Sequence, residues 1–262
     1  MSQYPPGYEP YGTIGTPPPQ QVEQQVKVNL PRVRPLVTYA IIGVTVAVYA
    51  LQFASQSLFN GNDWLFYYGG KINEFILAGQ LWRLITPVLL HASILHIAFN
   101  MYALYIYGAE LERSYGHWRY LALYLLGGFA GNVLSFLLTP SPSLGASTAI
   151  FALVSAEAVF VYQNRSLFGK RARQVLLNLG VVVVINFGIG LTPGSLVDNF
   201  GHLGGLIGGA IFAWFAGPKW ILEGLYPSVK VVDERSQTQV QLGAILVLAI
   251  FGGLTLLRFF IQ

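Results

Sequence analysis

Four long stretches of this sequence contain no Asp, Glu, Lys or Arg. They are Leu36 to Ala54, Leu84 to Gly108, Tyr120 to Thr139 and Val240 to Leu257. A helix of roughly 20 apolar residues is long enough to cross the hydrocarbon core of a bilayer. Because backbone polar groups must be paired within lipid, a single stretch of this kind folds there as a helix. The pattern predicts a chain that crosses a membrane several times.

The overall composition agrees with this prediction. The chain has 262 residues, of which 54% are hydrophobic and only 10% are charged, whereas soluble domains carry charges at about a quarter of their positions. Three further apolar stretches, Gly145 to Gln163, Val175 to Thr192 and Asn199 to Gly217, bring the predicted count to seven spans. The fold class expected is an all-α polytopic membrane protein. Cysteine is absent, which excludes a disulfide framework, a zinc–thiolate site and a thiol nucleophile.

The distribution of basic residues predicts the orientation. If the N-terminus lies in the cytoplasm, twelve of the fifteen Lys and Arg residues fall on the cytoplasmic side, and only Lys71, Arg83 and Arg258 fall outside. This is the asymmetry that the positive-inside rule requires. We therefore expect a multi-pass protein of the cell membrane with its N-terminus inside and its C-terminus outside. The net charge of +4 is explained by this sidedness, so no nucleic-acid partner is expected.

The sequence divides into four parts. Residues 1–33 are rich in Pro, Gln, Tyr and Gly and are predicted to be a disordered cytoplasmic tail, a solvated tether rather than a docking segment. Residues 34–217 hold six of the predicted spans, residues 218–239 form a cytoplasmic linker, and residues 240–262 contain the seventh span. The outside loop 55–82 is aromatic and is expected to be ordered and to lie in the bilayer interface.

Polar side chains at membrane depth are costly and are functional candidates for that reason. In the predicted spans they are His91, His96, Asn100, Ser147, Glu157, Asn178, Asn186 and His202. Spans 2, 4 and 6 all run from outside to inside in the predicted topology. The pair His96 and Asn100, Ser147, and His202 each lie in the first half of one of these spans. We therefore expect these polar groups to meet at one level, a few turns below the outer surface.

Small residues would allow two of these helices to approach closely. Gly201, Gly205 and Gly209 form a repeated GxxxG pattern on span 6, and such small residues let neighbouring backbones come near each other. If the neighbour is span 4, His202 could reach Ser147. A serine hydroxyl beside an imidazole is the minimal activated nucleophile.

Five motifs in order carry a recognisable signature. They are Trp82-Arg83, the stretch His91 to Met101 that includes His96 and Asn100, Gly108 to Gly116, Gly145-Ala-Ser147, and Gly201-His202-Leu-Gly-Gly205 with Gly209. In this arrangement, which covers most of Val33 to Gly217, the sequence resembles the rhomboid intramembrane serine proteases. The resemblance implies a six-helix core with one added C-terminal helix. It also implies hydrolysis of a peptide bond in or near a transmembrane segment of a membrane-protein substrate within the lipid bilayer.

The resemblance also implies roles for individual residues. Ser147 would be the nucleophile and His202 its general base, without a carboxylate, a cofactor or a metal ion. His96 and Asn100 would stabilise the oxyanion together with the Ser147 backbone N–H. Phe151 stands where the family often has an aromatic ring packed on the histidine. Two charged residues, Arg83 and Glu112, are expected to be structural.

The sequence departs from the family pattern at two positions beside the nucleophile. Thr148 and Ala152 stand where the family more often has Gly. A β-branched Thr could crowd the turn at Ser147, or its hydroxyl could bond back to the backbone. These departures leave open an inactive relative that binds membrane-protein clients without cutting them. A transporter is a third alternative, disfavoured by the absence of an inverted sequence repeat.

Structural roles also compete for each candidate residue. Ser147 could cap its helix, and His202 could be satisfied by a neighbouring carbonyl. His96 and Asn100 could join two helices by hydrogen bonds, and His91 could serve either the site rim or interface packing. Glu157 is expected to make a structural hydrogen bond. Asn178 and Asn186 are expected to be packing or cap residues.

Overall fold

The computed structural model describes residues 31–225 and 228–261. The predicted disordered tail, residues 1–33, therefore lies almost entirely outside the described residues. Most of the described chain is helical. The longer helices are α1 (Leu36–Leu58), α4 (Ile94–Ala103), α6 (His117–Leu138), α7 (Ser147–Gln163), α9 (Arg171–Gly190), α10 (Asn199–Ala216) and α11 (Gln237–Phe260). The short helices are α2 (Trp64–Gly69), α3 (Asn73–Leu77), α5 (Ala109–Tyr115) and α8 (Arg165–Phe168).

The core of the molecule is formed by α6, α7 and α10, which make the most extensive helix–helix contacts. Small residues allow this close packing. A Cβ added at Gly204 of α10 would lie 2.5 Å from the Ala130 carbonyl oxygen of α6. On the other side of α10, α11 packs with Gly243 against Phe212. The glycine pattern in the sequence thus marks the helix that lies at the centre of the bundle.

Four helices of the described chain are both long and apolar enough to cross a membrane: α1, α6, α9 and α11. The apolar helix α7 is shorter, with 17 residues. The first and last of the four lie within a few residues of their predicted spans. The count of seven spans stays a prediction.

The prediction for span 2 places its start too early. Leu81–Leu84 and Thr86–Leu89 form two 3₁₀ turns, the second with Pro87 in its first turn. The regular helix α4 begins only at Ile94, after Ser93, whose hydroxyl accepts from the His96 N–H. The absence of charged residues from this stretch does not indicate that 3₁₀ turns precede the regular helix. Beyond α4, a π-helical turn (Leu104–Gly108) continues into α5.

The predicted linker contains a short β-hairpin in a chain that is otherwise helical, as predicted. Strands β1 (Trp220–Glu223) and β2 (Lys230–Asp233) pair antiparallel, with Trp220 opposite Asp233. The hairpin is fixed to the helix ends, since Asn164 Oδ1 accepts from the Trp220 N–H at 2.7 Å. Asp233 also pairs with Arg119 of α6. Two four-residue strands are too short to stand out in an otherwise helical sequence.

The loop between α1 and α4 is ordered by Arg83. Its guanidinium is almost fully buried, donates to the carbonyl oxygens of Gly70 at 2.8 Å and Tyr67 at 2.6 Å, and lies 4.6 Å from the centre of the Phe75 ring. These bonds satisfy carbonyl groups at the end of α2. Trp64, Tyr67 and Tyr68 form a cluster of aromatic contacts in the same loop. The interfacial location of this loop stays a prediction.

Candidate active site

Ser147 is the first residue of α7 and follows a tight turn at Gly145. Gly145 has φ +136°, a conformation that L side chains rarely adopt, and an added Cβ would lie 2.9 Å from the imidazole of His96. The turn is held by the Gly145 N–H, which donates to the Pro87 carbonyl oxygen at 2.9 Å. Since the N-cap position of α7 is occupied by Ala146 and not by Ser147, the alternative that Ser147 merely caps its helix finds no support.

The imidazole of His96 faces Ser147. Its Nδ1 accepts from the Ala92 N–H at 3.4 Å, so the proton of the neutral ring belongs on Nε2. A Cβ added to Gly145 would lie 2.9 Å from His96 Nε2 and 3.7 Å from Ser147 Oγ. Both atoms therefore border the same small space. His96 is placed to donate a hydrogen bond beside the Ser147 hydroxyl.

Asn100 lies one turn further along the same helix face as His96. Its side chain is buried, and its amide donates to the His96 carbonyl oxygen at 3.1 Å. That bond lies within α4, so the alternative of a hydrogen bond between helices finds no support. Asn100 Oδ1 and the second amide hydrogen remain available to a neighbouring group.

The imidazole of His202 is stacked on the ring of Phe151. The two ring centroids are 4.1 Å apart and the planes differ by 11°. Phe151 lies one helical turn after Ser147. Its contact with His202 is the aromatic packing that the resemblance implies. Phe187 of α9 packs edge-on against the same imidazole at 6.3 Å. His202 Nδ1 is buried and has no hydrogen-bond partner among the described residues, which disfavours the alternative of a satisfied structural histidine.

Ser147 and His202 are brought onto adjacent faces of α7 and α10 without a hydrogen bond between them. Bonds between a nucleophile and its base are commonly long before substrate binds. The backbones of the two helices come very close, since a Cβ on Gly205 would overlap the Thr148 carbonyl oxygen. A Cβ on Gly209 would lie 2.5 Å from Ala152 Cα. The close approach predicted for spans 4 and 6 is present in the structure.

The two departures from the family pattern are accommodated by glycines on neighbouring helices. A Cβ on Gly131 of α6 would lie 2.5 Å from Thr148 Cβ, and one on Gly201 of α10 would lie 3.1 Å from Thr148 Cγ2. The Thr148 side chain therefore fills the space between α6 and α10 and does not crowd Ser147. Its hydroxyl has no hydrogen-bond partner among the described residues, so the alternative of a bond back to the backbone finds no support. Ala152 likewise lies against Gly127.

The segment before Ser147 is held by Lys71. This buried side chain donates from Nζ to the carbonyl oxygens of Thr139 and Ser141, both at 2.8 Å, and its backbone pairs with Ser143. Burial lowers the pKa of Lys71 to about 8, and the charge of Asp198 opposes that shift. The cation thus ties the loop between α1 and α4 to the segment that enters α7.

Asp198 fixes the start of the helix that carries His202. Its carboxylate caps α10 by accepting from the Gly201 N–H at 2.9 Å, and it also accepts from the hydroxyls of Ser135 and Thr139. Sequence reasoning missed both Lys71 and Asp198. The signal for Asp198 was available, because an Asp directly before an apolar helix is a typical N-cap. Lys71 gave no signal, since its partners are backbone carbonyls about 70 residues away.

His91 takes part in the turn that precedes Ser147. It is fully buried, its ring centroid lies 5.0 Å from that of His96, and its Nε2 accepts from the Ala146 N–H at 3.4 Å. Of the two roles left open for His91, this arrangement favours support of the site over packing at the membrane interface.

The remaining charged and polar candidates lie away from the site. Glu112 is buried and accepts from the backbone N–H groups of Val37 and Thr38, which fits the expected structural role because it caps α1. The structural hydrogen bond expected of Glu157 stays a prediction. Asn178 and Asn186 bond within α9 to residues one turn earlier.

Comparison with known proteins agrees with this arrangement. The family model described as the Rhomboid domain matches residues 78–219. Rhomboid protease GluP of Bacillus subtilis (strain 168) is 40% identical over 176 residues, which is 67% of this chain and 34% of that protein. The chloroplastic RHOMBOID-like protein 9 of Arabidopsis thaliana is 37% identical over 151 residues, 58% of this chain and 35% of that protein. Rhomboid-like protease 3 of Toxoplasma gondii is 37% identical over 54% of this chain and 56% of its own length.

The chain therefore matches about a third of the length of the first two relatives. The matched part includes the turn at Ser147 and the helix that carries His202, since both fall within residues 78–219. The helical architecture, the membrane-spanning helices and the family match are mutually consistent. On these observations the chain is a multi-pass membrane protein that belongs to the rhomboid family.

Proposed function

We propose that this protein is a serine endopeptidase that cleaves transmembrane segments of membrane proteins with Ser147 and His202 as its catalytic dyad. The observation that carries the proposal is the packing of α7 on α10 at Gly205. On α7, Phe151 lies one turn after Ser147, and the imidazole of His202 on α10 stacks on the Phe151 ring. The His96 donor approaches the same hydroxyl from α4. Three helices thus supply a nucleophile, a base and a hydrogen-bond donor at one level.

The geometry supports the following course of reaction. Ser147 Oγ attacks the carbonyl carbon of the scissile bond while the imidazole of His202 accepts its proton and later gives it to the leaving amine. Stacking on Phe151 fixes the plane of the ring. The oxyanion receives hydrogen bonds from His96 Nε2–H, from Asn100 and from the Ser147 N–H. This N–H is at the N-terminus of a 17-residue helix, whose dipole also favours negative charge.

The proposal is tested with a serine-directed fluorophosphonate probe and a model transmembrane substrate in lipid. We expect labelling of the wild-type chain, and cleavage of the substrate within or next to its apolar segment. A chain that binds the substrate but neither reacts with the probe nor cleaves would show that it is an inactive relative. Labelling that persists in Ser147→Ala would show that another residue had reacted.

Removing the imidazole of His96 should lower turnover without abolishing it. We expect His96→Ala to reduce kcat about a hundredfold with little change in KM, since one oxyanion donor contributes about 3 kcal/mol in the transition state and little in the ground state. Cleavage kinetics in proteoliposomes would measure both constants. Asn178→Ala, which removes an exposed amide on α9, is the matched control and should cleave normally. An unchanged kcat in His96→Ala would rule out this donor.

The proposed orientation can be tested with single cysteines, because the chain contains none. Cysteines at Ser141 and Ser195, in the connections before α7 and α10, should react with a membrane-impermeant thiol reagent in whole cells. A cysteine at the exposed Ser166, in α8, should react only after the cells are opened. The reverse pattern would place the N-terminus outside.

A further inference from the structure

A basic cavity lies at the opposite end of α7 from Ser147. It is formed where α7 ends, where α8 makes a single turn, and where α9 begins. Its volume is about 490 Å³, and the side chains of Tyr162, Arg165, Arg173, Leu176 and Leu177 line it. None of these residues takes part in the proposed reaction.

The charges around this cavity are unbalanced. Arg165, Lys170, Arg171 and Arg173 are all exposed, and no Asp or Glu occurs in the sequence between residues 158 and 197. None of the ion pairs found within residues 31–225 and 228–261 involves any of the four. Four positive charges within nine residues therefore lack acidic partners in the described chain and attract an anion.

The arginines at the cavity mouth are suited to a phosphate group. The Arg165 guanidinium lies 4.9 Å from the centre of the Tyr162 ring and donates to the Tyr162 carbonyl oxygen at 3.3 Å, which restrains its orientation. Arg173 approaches from the first turn of α9. The planar guanidinium group binds phosphate oxygens in a bidentate manner.

The wall of the cavity changes from charged to apolar along α9. Leu176 lies three residues after Arg173 and therefore on the same helix face. Leu177 is exposed and continues the apolar surface toward the middle of the helix. Since α9 is long and apolar enough to span the bilayer, its first turn lies near one membrane surface and Leu176 lies closer to the hydrocarbon.

We infer that this cavity binds an anionic phospholipid, with the phosphate at Arg165 and Arg173 and an acyl chain along Leu176 and Leu177. The ligand must be both anionic and lipidic, because the cavity combines an uncompensated basic mouth with an apolar wall at the bilayer surface. A basic pocket between membrane helices is a recognised site for anionic headgroups. A zwitterionic lipid would lack the net charge, and free phosphate would lack the acyl chain.

The test is binding of phosphatidylglycerol to the full chain in a neutral detergent, measured by native mass spectrometry. We expect phosphatidylglycerol to be retained and phosphatidylcholine not to be. The double variant Arg165→Gln/Arg173→Gln should bind phosphatidylglycerol about thirtyfold more weakly, because each basic residue near an anionic lipid contributes about 1 kcal/mol. Lys219→Gln/Lys230→Gln, which also removes two positive charges but at positions that do not line the cavity, should bind nearly as the wild type does.

Thermal unfolding of the same proteins provides the second measurement. Phosphatidylglycerol should raise the Tm of the wild type and of the control but not of the arginine variant, while all three should have similar Tm values without lipid. Inorganic phosphate should leave the Tm unchanged. Equal retention of phosphatidylcholine, an unchanged affinity in the arginine variant, or an equal Tm increase with inorganic phosphate would overturn the proposal.

Discussion

Replacing Ser147 by Ala should abolish cleavage of a transmembrane substrate, and replacing His202 by Ala should do the same. The expected loss is about 10⁴-fold or more, because the hydroxyl and the imidazole act as one unit in each chemical step. For the same reason the double variant should be no worse than either single variant. Cleavage per mole of folded protein, in proteoliposomes, is the measurement.

Both substitutions should leave the fold intact. The N-cap residue of α7 is Ala146 and not Ser147, and Ala149 and Ala152 show that Ala is compatible with this helix. His202→Ala leaves the face of Phe151 exposed within the core, so a moderate fall in Tm is expected. Retained turnover in Ser147→Ala would contradict the proposed nucleophile. Additive losses in the double variant would contradict the coupling of the two residues.

Gly205→Leu should also remove most of the activity, although it changes no reacting group. A Cβ at Gly205 would overlap the Thr148 carbonyl oxygen, so a larger side chain must push α10 away from α7. A displacement of about 1 Å at a catalytic group can cost about a hundredfold in rate. Overpacking of this kind also costs about 1–3 kcal/mol of stability. We expect a loss of about a hundredfold in cleavage after normalisation to folded protein.

Gly180→Leu on α9 is the matched control. An added Cβ there meets no atom within 4 Å, so activity and Tm should be close to those of the wild type. Gly217, at the end of α10, is not a suitable control position, because a Cβ there would lie 2.8 Å from the Tyr115 hydroxyl. If Gly205→Leu unfolds, Gly205→Ala introduces the same overlap with less volume. Wild-type cleavage by folded Gly205→Ala would show that the helix contact does not position the dyad.

The length of apolar stretches is a local property, and the sequence predicted it well. The first and last membrane helices, Leu36–Leu58 and Gln237–Phe260, lie close to their predicted positions. The glycine spacing on α10 also predicted a close helix partner, because only small residues allow such an approach. Motif order predicted the family, which the match over residues 78–219 confirmed.

Other features depend on contacts between segments far apart in the chain. Lys71 is buried against the carbonyl groups of Thr139 and Ser141. A sequence does not indicate which backbone carbonyl groups a side chain will contact. The irregular entry to α4 depends on Pro87, whose carbonyl accepts from Gly145 nearly 60 residues later. The hairpin after α10 is fixed by Asn164, at the end of another helix.

The sequence by itself determined that this chain spans a membrane, that it belongs to the rhomboid family, and which polar side chains are candidates for the site. Only the tertiary structure decided how Thr148 is accommodated, because the space that receives its side chain is made by Gly131 and Gly201 on two other helices. It also decided that the His96 imidazole faces Ser147. The turn before Ser147 requires a positive φ at Gly145, and Gly145 lies directly against the His96 ring. Helix formation follows from local hydrophobicity, whereas the site depends on distances between helices that local sequence does not encode.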